Sequence, residues 1–195
     1  GVQTCALPIS LKTLNMSDNT LSSITLPQTE TLTTLLLNNN LLTSVDLTKN
    51  TGLTELNVSY NNLMSLNVSK NTALTTLTAN SNSVRTISLP QSTTLTTLNV
   101  NSNALTSIDV SNCTALTNLY LGENQLTALD VSKNTKLKEI ECHSNKLITL
   151  DFSKNSALKK ITCYNNQIYD VPSGAQNGES FVVNLPKTSW PPGEI

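Results

Sequence analysis

Apolar residues return along this chain at a fixed interval. Taking the first leucine of each unit gives Leu11, Leu32, Leu53, Leu74, Leu95, Leu116, Leu137 and Leu158, eight starts 21 residues apart without an insertion or deletion. Three positions on stand Leu14, Leu35, Leu56, Leu77, Leu98, Leu119, Ile140 and Ile161, and five positions on stand Met16, Leu37, Val58, Ala79, Val100, Leu121, Cys142 and Cys163. Alternation at period two predicts a short strand with one buried face. Ten positions on, Leu21, Leu42, Leu63, Val84, Leu105, Leu126, Leu147 and Ile168 supply one more inward residue. The return half also alternates, with Ile108 and Val110, Leu129 and Val131, or Leu150 and Phe152 as its apolar pairs. It is read as extended, with no long helix.

One polar position is as regular as the leucines. Asn19, Asn40, Asn61, Asn82, Asn103, Asn124, Asn145 and Asn166 lie eight residues after each start. The chain turns after the strand and leaves backbone groups without a strand partner. An inward amide both donates and accepts there, where an unsatisfied buried polar group would cost about 1 to 3 kcal/mol. The eight are expected to stack as a ladder. Asp46, Asp109, Asp130 and Asp151, with Asn67, open turns of the type Ser-Lys-Asn-Thr at 69–72 and 132–135. Such residues favour tight turns through local backbone hydrogen bonds. Pro27 and Pro90 rigidify two variant turns.

The pattern LxxLxLxxNxL, eight times over from Leu11 to about Val171, resembles leucine-rich repeats. The resemblance implies a curved right-handed solenoid with a parallel sheet on the concave face, an extended or turn-rich convex side and little helix. At roughly 4.8 Å per rung it would be about 38 Å long. The 21-residue unit, the return of the LDVSKNT kind and the cysteines at 142 and 163 resemble the cysteine-containing internalin-type surface proteins of bacteria, although the first six units carry no cysteine at that position. The chain divides into residues 1–10, read as a non-native leader outside the register, the array at 11–171, and a terminal rung with the start of a cap or linker at 172–195, where Phe181 to Leu185 alternates like one more strand.

Composition changes this picture little. Aromatic content of 4% and charged content of 13% suit thin aliphatic layers with a surface of Thr, Ser and Asn. Net charge of −1 gives no sign of nucleic acid or of an anionic membrane as partner. No apolar stretch approaches the roughly 18 to 20 residues needed to cross a bilayer.

Enzyme chemistry finds no support. The one histidine, His143, follows Cys142, and neighbours on a strand face opposite ways, so they share no metal. It is read as an exposed polar side chain. No nucleophile elbow, phosphate loop or dinucleotide glycine pattern occurs. No cofactor is expected. Cys142 and Cys163 are read as free packed thiols on adjacent rungs, Cys113 as a turn residue of little consequence, and Cys5 as part of the leader. Leu185 to Thr188 spells LPKT, close to a sortase signal, but Ser189 replaces its glycine and Leu26 to Thr29 spells LPQT within a repeat. Sequons at Asn15, Asn57, Asn67 and Asn112 are expected by composition alone.

The informative residues project outward from the strands, two, four and six positions after each start. In the first five rungs these columns hold mainly Thr and Asn, relieved by Leu36, Glu55 and, just beyond, Tyr60. In the last three they hold Tyr120 with Glu123 close by, then Glu139, Glu141 and His143, then Lys160 and Tyr164. Anchors such as Tyr dominate binding energy while short polar residues tolerate contact. The reading is a non-enzymatic recognition or adhesion module of a secreted or cell-surface bacterial protein. It would bind a host or bacterial surface protein through its concave face, with no nucleic acid partner and no membrane insertion. A carbohydrate-binding face and a passive spacer are the alternatives.

Overall fold

The computed structural model describes residues 10–170, residues 173 and 174, and the backbone of 180–182. The leader at 1–9 and the LPKT segment with the rest of 183–195 lie outside the described residues. The described chain is a parallel-strand solenoid, and no helix occurs among these residues.

Each turn contributes one three-residue strand to the principal sheet. These are β1 (Thr13–Asn15), β2 (Thr34–Leu36), β3 (Glu55–Asn57), β5 (Thr76–Thr78), β7 (Thr97–Asn99), β8 (Asn118–Tyr120), β9 (Glu139–Glu141), β10 (Lys160–Thr162) and β11 (Ser180–Val182). All pair in parallel, in the order β1-β2-β3-β5-β7-β8-β9-β10-β11. The register steps by one repeat at a time, so that Leu35 faces Leu14 and Leu56, and Ile140 faces Leu119 and Ile161. The final step is 20 residues, Lys160 pairing with Ser180.

The period explains why these residues form these strands. The central residue of each strand is apolar and turned inward, and its two neighbours face solvent. Leu35, Leu56, Leu77, Leu98, Leu119, Ile140 and Ile161 are fully buried, together with the start leucines from Leu32 to Leu137. Burying one such side chain contributes roughly 1.5 to 3 kcal/mol. The return side is extended as well. Among the described residues it forms a regular ladder between β4 (Ser65–Asn67) and β6 (Thr86–Ser88) and isolated bridges at Ser92–Cys113 and Asp151–Ser173, while Leu47, Val68, Val110, Val131 and Phe152 close the core from that side.

The corner after each strand is uniform. Asp18, Asn39, Tyr60, Ser81, Ser102, Glu123, Ser144 and Asn165, one per turn, all hold φ between 54° and 58°. Asn, Asp and Ser accept this left-handed backbone readily through local hydrogen bonds. Tyr60 and Glu123 occupy it at a cost on the order of 1 kcal/mol each.

Inside the corner, the asparagine amides link neighbouring turns. Asn61 donates to Leu37 O at 2.9 Å in the preceding turn and to Val58 O at 3.2 Å in its own, and its Oδ1 accepts from Leu42 N–H at 2.9 Å. The same geometry recurs at Asn40, Asn82, Asn103, Asn124, Asn145 and Asn166. The side-chain amide of Asn19, in the first turn, is exposed and donates to Met16 O and Ser17 O of its own turn.

A second column of inward amides lies where the sequence shows only turn residues. Asn50, Asn71, Asn134 and Asn155, the asparagines of the turns that follow the return strand, are buried. Asn71 donates to Leu47 O at 3.2 Å and to Asn50 O at 2.9 Å, and Asn155 to Val131 O at 3.0 Å and Asn134 O at 2.9 Å. Thr29, Ser92 and Cys113 fill the same column in the other turns. Cys113 is a turn residue, as its place in the pattern predicts, but one turned inward. It is fully buried and its thiol lies 3.5 Å from Pro90 O, the hydrogen-bonding station an asparagine holds elsewhere.

Candidate functional site

The sheet face presents three columns of outward side chains, and their content changes at β8. From β1 to β7 the two strand columns hold mainly short polar residues, such as Thr76, Thr78, Thr97 and Asn99. On β8, β9 and β10 and the residues that follow them, Tyr120, Glu139, Glu141, His143, Lys160 and Tyr164 lie on adjacent rungs of one face.

These side chains engage one another. Tyr120 donates its hydroxyl to Glu139 Oε2 at 3.2 Å, and Asn118 Nδ2 donates to Tyr120 Oη at 3.2 Å. Lys160 pairs with Glu139 and, at 3.4 Å, with Glu141 Oε1. The hydrogen bond from Lys160 holds the Glu139 carboxyl below its ordinary range, with Tyr120 and Asn118 adding to the effect. Partial burial pushes the Tyr120 phenol up, and the Glu139 carboxylate adds to that. Lys160 is raised in turn, chiefly by its bond to Glu139. Exposed ion pairs of this kind add about 0 to 1 kcal/mol to stability. Together with the hydrogen bonds they hold these side chains in one arrangement.

The third column holds a stack. The imidazole of His143 lies flat on the ring of Tyr164, with centroids 4.7 Å apart and planes 6° from parallel. Its other side rests on Gly122, where an added Cβ would stand 2.5 Å from His143 Nε2. Gly122 donates its N–H to Asn101 Oδ1 at 2.7 Å, and Asn101 Nδ2 reaches across to Glu141 Oε2 at 3.5 Å. His143 is thus half-buried between its neighbours, and not the exposed side chain that its place on the strand pattern predicts. The absence of a side chain at 122 makes room for the ring.

Two further residues fall apart from the cluster. Glu123 turns back along the left-handed corner and accepts from Ser102 Oγ at 2.7 Å. Tyr60, 57% exposed, sits on the same corner three rungs earlier, roughly 14 Å away at the strand spacing. Asn101, Asn118 and Gly122, which order the cluster, were not singled out in the sequence. Their signal was available, since they occupy the outward columns directly before the charged rungs.

Beneath the patch, Cys142 and Cys163 are buried and free. Burial pushes the Cys163 thiol up to about 12 and Cys142 well above its ordinary value, so both stay protonated and pack as small apolar groups. Among the described residues no group of three or more His, Cys, Asp or Glu side chains could hold a metal ion. On the return side of the last turns, a shallow groove of about 510 Å³ carries Ile148 and Tyr169, 48% and 59% exposed, at its lip.

Comparison with known proteins agrees with this architecture. Models of leucine-rich repeats match residues 93–134, as two copies, and residues 10–30. Among solved structures, YopM, a leucine-rich effector protein from Yersinia pestis, is 26% identical with a TM-score of 0.77, covering 93% of this chain and 53% of its own. Internalin C2 from Listeria monocytogenes is 27% identical with a TM-score of 0.70, covering 90% of this chain and 80% of its own. The leucine-rich repeat domain of APL1B is 27% identical with a TM-score of 0.72, covering 90% of this chain and 57% of its own. The chain therefore spans little more than half the length of YopM and of the APL1B domain. No curated protein matches it significantly.

Proposed function

We propose that this chain, whose repeats match leucine-rich repeat models over residues 93–134 and 10–30 and resemble those of internalins, is a non-enzymatic recognition module that binds a protein through its concave sheet face. The contact surface is the cluster of Tyr120, Glu139, Glu141, His143, Lys160 and Tyr164, with Glu123 at its margin. The observation that carries this reading is the His143–Tyr164 stack seated on Gly122, beside the Tyr120–Glu139–Lys160 network. Aromatic and charged groups held rigid on one surface are what an interface core requires. Tyr60 is a separate, peripheral contact. The protein is read as secreted or surface-exposed and adhesive, with a host or bacterial surface protein as its partner. Support for this comes from the likeness to internalin C2 and from the polar Thr and Asn surface.

The test compares proteins captured by the wild type and by a variant with Tyr120, Glu141 and Tyr164 changed to alanine. A partner lost from the variant, yet retained when Thr34, Thr76 and Thr97 are changed to alanine, supports the patch. Gly122→Ala, which displaces the His143 ring, should also weaken that partner by about tenfold while leaving the melting transition within about 1 kcal/mol. Capture unchanged by all three variants would sink the reading. Tyr rings beside Asn and Glu also suit stacking on sugars, and a glycan array probes that second reading. A spacer would show the opposite behaviour, responding only to the number of turns.

A further inference from the structure

The cations of this chain are unevenly placed. Six of its twelve Lys and Arg residues, Lys133, Lys136, Lys138, Lys154, Lys159 and Lys160, fall in the two segments 131–138 and 152–160, and neither segment contains a carboxylate. The segments are the successive turns that lead into β9 and β10, so they lie side by side along one edge of the solenoid. All six lysines are exposed. Lys159 N–H donates to Lys138 O at 2.8 Å, which sets these two stems directly one above the other.

Structural pairing accounts for only part of this arrangement. In the five preceding turns the position of Lys138 is occupied by Thr33, Thr54, Thr75, Thr96 and Thr117. Each of these hydroxyls donates to the carbonyl of the same position one turn back, at 2.9 to 3.2 Å. Lys138 gives up that hydrogen bond, and Lys159 takes the same position one turn on. Lys160 is drawn onto the sheet face by Glu139 and Glu141. Lys133 and Lys154 lie near Asp130 and Asp151, whose carboxyls are held low first by Ser132 and Ser153 and then by these lysines. Among the described residues, Lys136 and Lys138 have no carboxylate within 4.0 Å.

We propose that this edge, centred on Lys136, Lys138 and Lys154, is a docking rail for a linear sulfated polysaccharide. Several ammonium groups along adjacent turns match a polymer bearing repeated anionic groups, and each contact releases counterions. Lysine supplies solvated point charges without the planar fork that arginine offers to a single phosphate or carboxylate. Neither segment carries an exposed aromatic residue, and Tyr169, which lines the same groove as Lys154, is a single ring and not the row of stacking platforms that single-stranded nucleic acid uses.

Heparin chromatography with a salt gradient tests it. The wild type, despite its net charge of −1, should be retained at about 50 mM salt. The triple variant Lys136→Gln, Lys138→Gln, Lys154→Gln should elute earlier, its salt dependence lowered by about three in slope. The same three changed to Arg should keep retention, and Lys49→Gln with Lys70→Gln should leave it unaltered. Circular dichroism of each variant confirms that the fold persists. Flow-through of the wild type, unaltered elution of the Gln triple, loss in the Arg triple or equal loss in the Lys49 and Lys70 control would overturn the proposal. Tighter retention on single-stranded DNA than on heparin would overturn it in favour of a nucleic acid.

Discussion

The first five turns and the last three share one interior and differ on the outside. Inward, Leu35, Leu77, Leu119 and Ile161 occupy one buried column along the sheet, and Asn40, Asn82, Asn124 and Asn166 make one bond pattern. Outward, Thr76 and Thr97 give way to Glu139 and Lys160 at the same column position. Repetition of the inward residues is enforced by stacking, since each turn must seal its neighbours. Nothing in the stacking constrains the outward columns, so chemistry accumulates there without cost to the fold.

The contrast is broken most sharply by exchanging the two environments within one strand. Leu98 is fully buried in β7, whereas its neighbour Thr97 faces outward. Leu98→Asp forfeits the roughly 1.5 to 3 kcal/mol of a buried leucine and adds the larger cost of an unpaired carboxylate. It should unfold the central turns, read as loss of the cooperative melting transition. Thr97→Asn, which installs the residue that Asn118 carries one rung on, should shift stability by no more than about 0.5 kcal/mol. Comparable losses from both would mean that inside and outside are not distinct here.

The two asparagine columns offer a finer comparison. The Asn61 amide is satisfied at both ends, donating to Leu37 O and Val58 O and accepting from Leu42 N–H. Asn134 donates to Val110 O and Cys113 O at 2.9 Å each, but its Oδ1 is buried without a hydrogen-bond partner, as is that of Asn155. Asn61→Ala should therefore cost about 2 to 3 kcal/mol, and Asn134→Ala about 1 kcal/mol, because the second substitution also removes an unsatisfied acceptor. Urea denaturation of the two variants measures the order. A larger loss at 134 would reverse the argument.

How much of this was legible follows from the same asymmetry. The solenoid could be read because the period-two alternation recurs every 21 residues in a pattern that resembles leucine-rich repeats, and the outward columns followed from that register. The second asparagine column could not, because Ser-Lys-Asn-Thr has the composition of a solvent-facing turn and its burial depends on contact with the next coil. The burial of Cys113 escaped the sequence for that reason. The left-handed corner was hidden because eight positions sharing one φ carry five residue types, Tyr and Glu among them. The half-burial of His143 required knowing that Gly122 lies under it. Net charge was the least informative summary, since −1 averages acidic residues near Glu139 and Glu141 with the lysine edge beside them.

The smallest expected effect lies in the outer network itself, and pH isolates it. Glu139 has its folded carboxyl lowered, chiefly by Lys160, so its contribution is present above the ordinary value of 4.5 and is lost as pH falls through the lower folded value. Lys160 is raised by the same pair, so its contribution is present below the ordinary value of 10.5 and fades as pH rises through the folded value. Between those limits both are charged and the pair is intact. Because Lys160 is about half exposed, solvent screening holds the whole contribution to about 0.5 kcal/mol. Glu139→Gln should therefore melt slightly below the wild type at neutral pH, with the difference vanishing once pH falls below the lowered folded value of Glu139 and shrinking in high salt. A difference that persisted in acid would assign the effect to the Tyr120 and Asn118 hydrogen bonds, and the charge on the last three turns would then matter for binding alone.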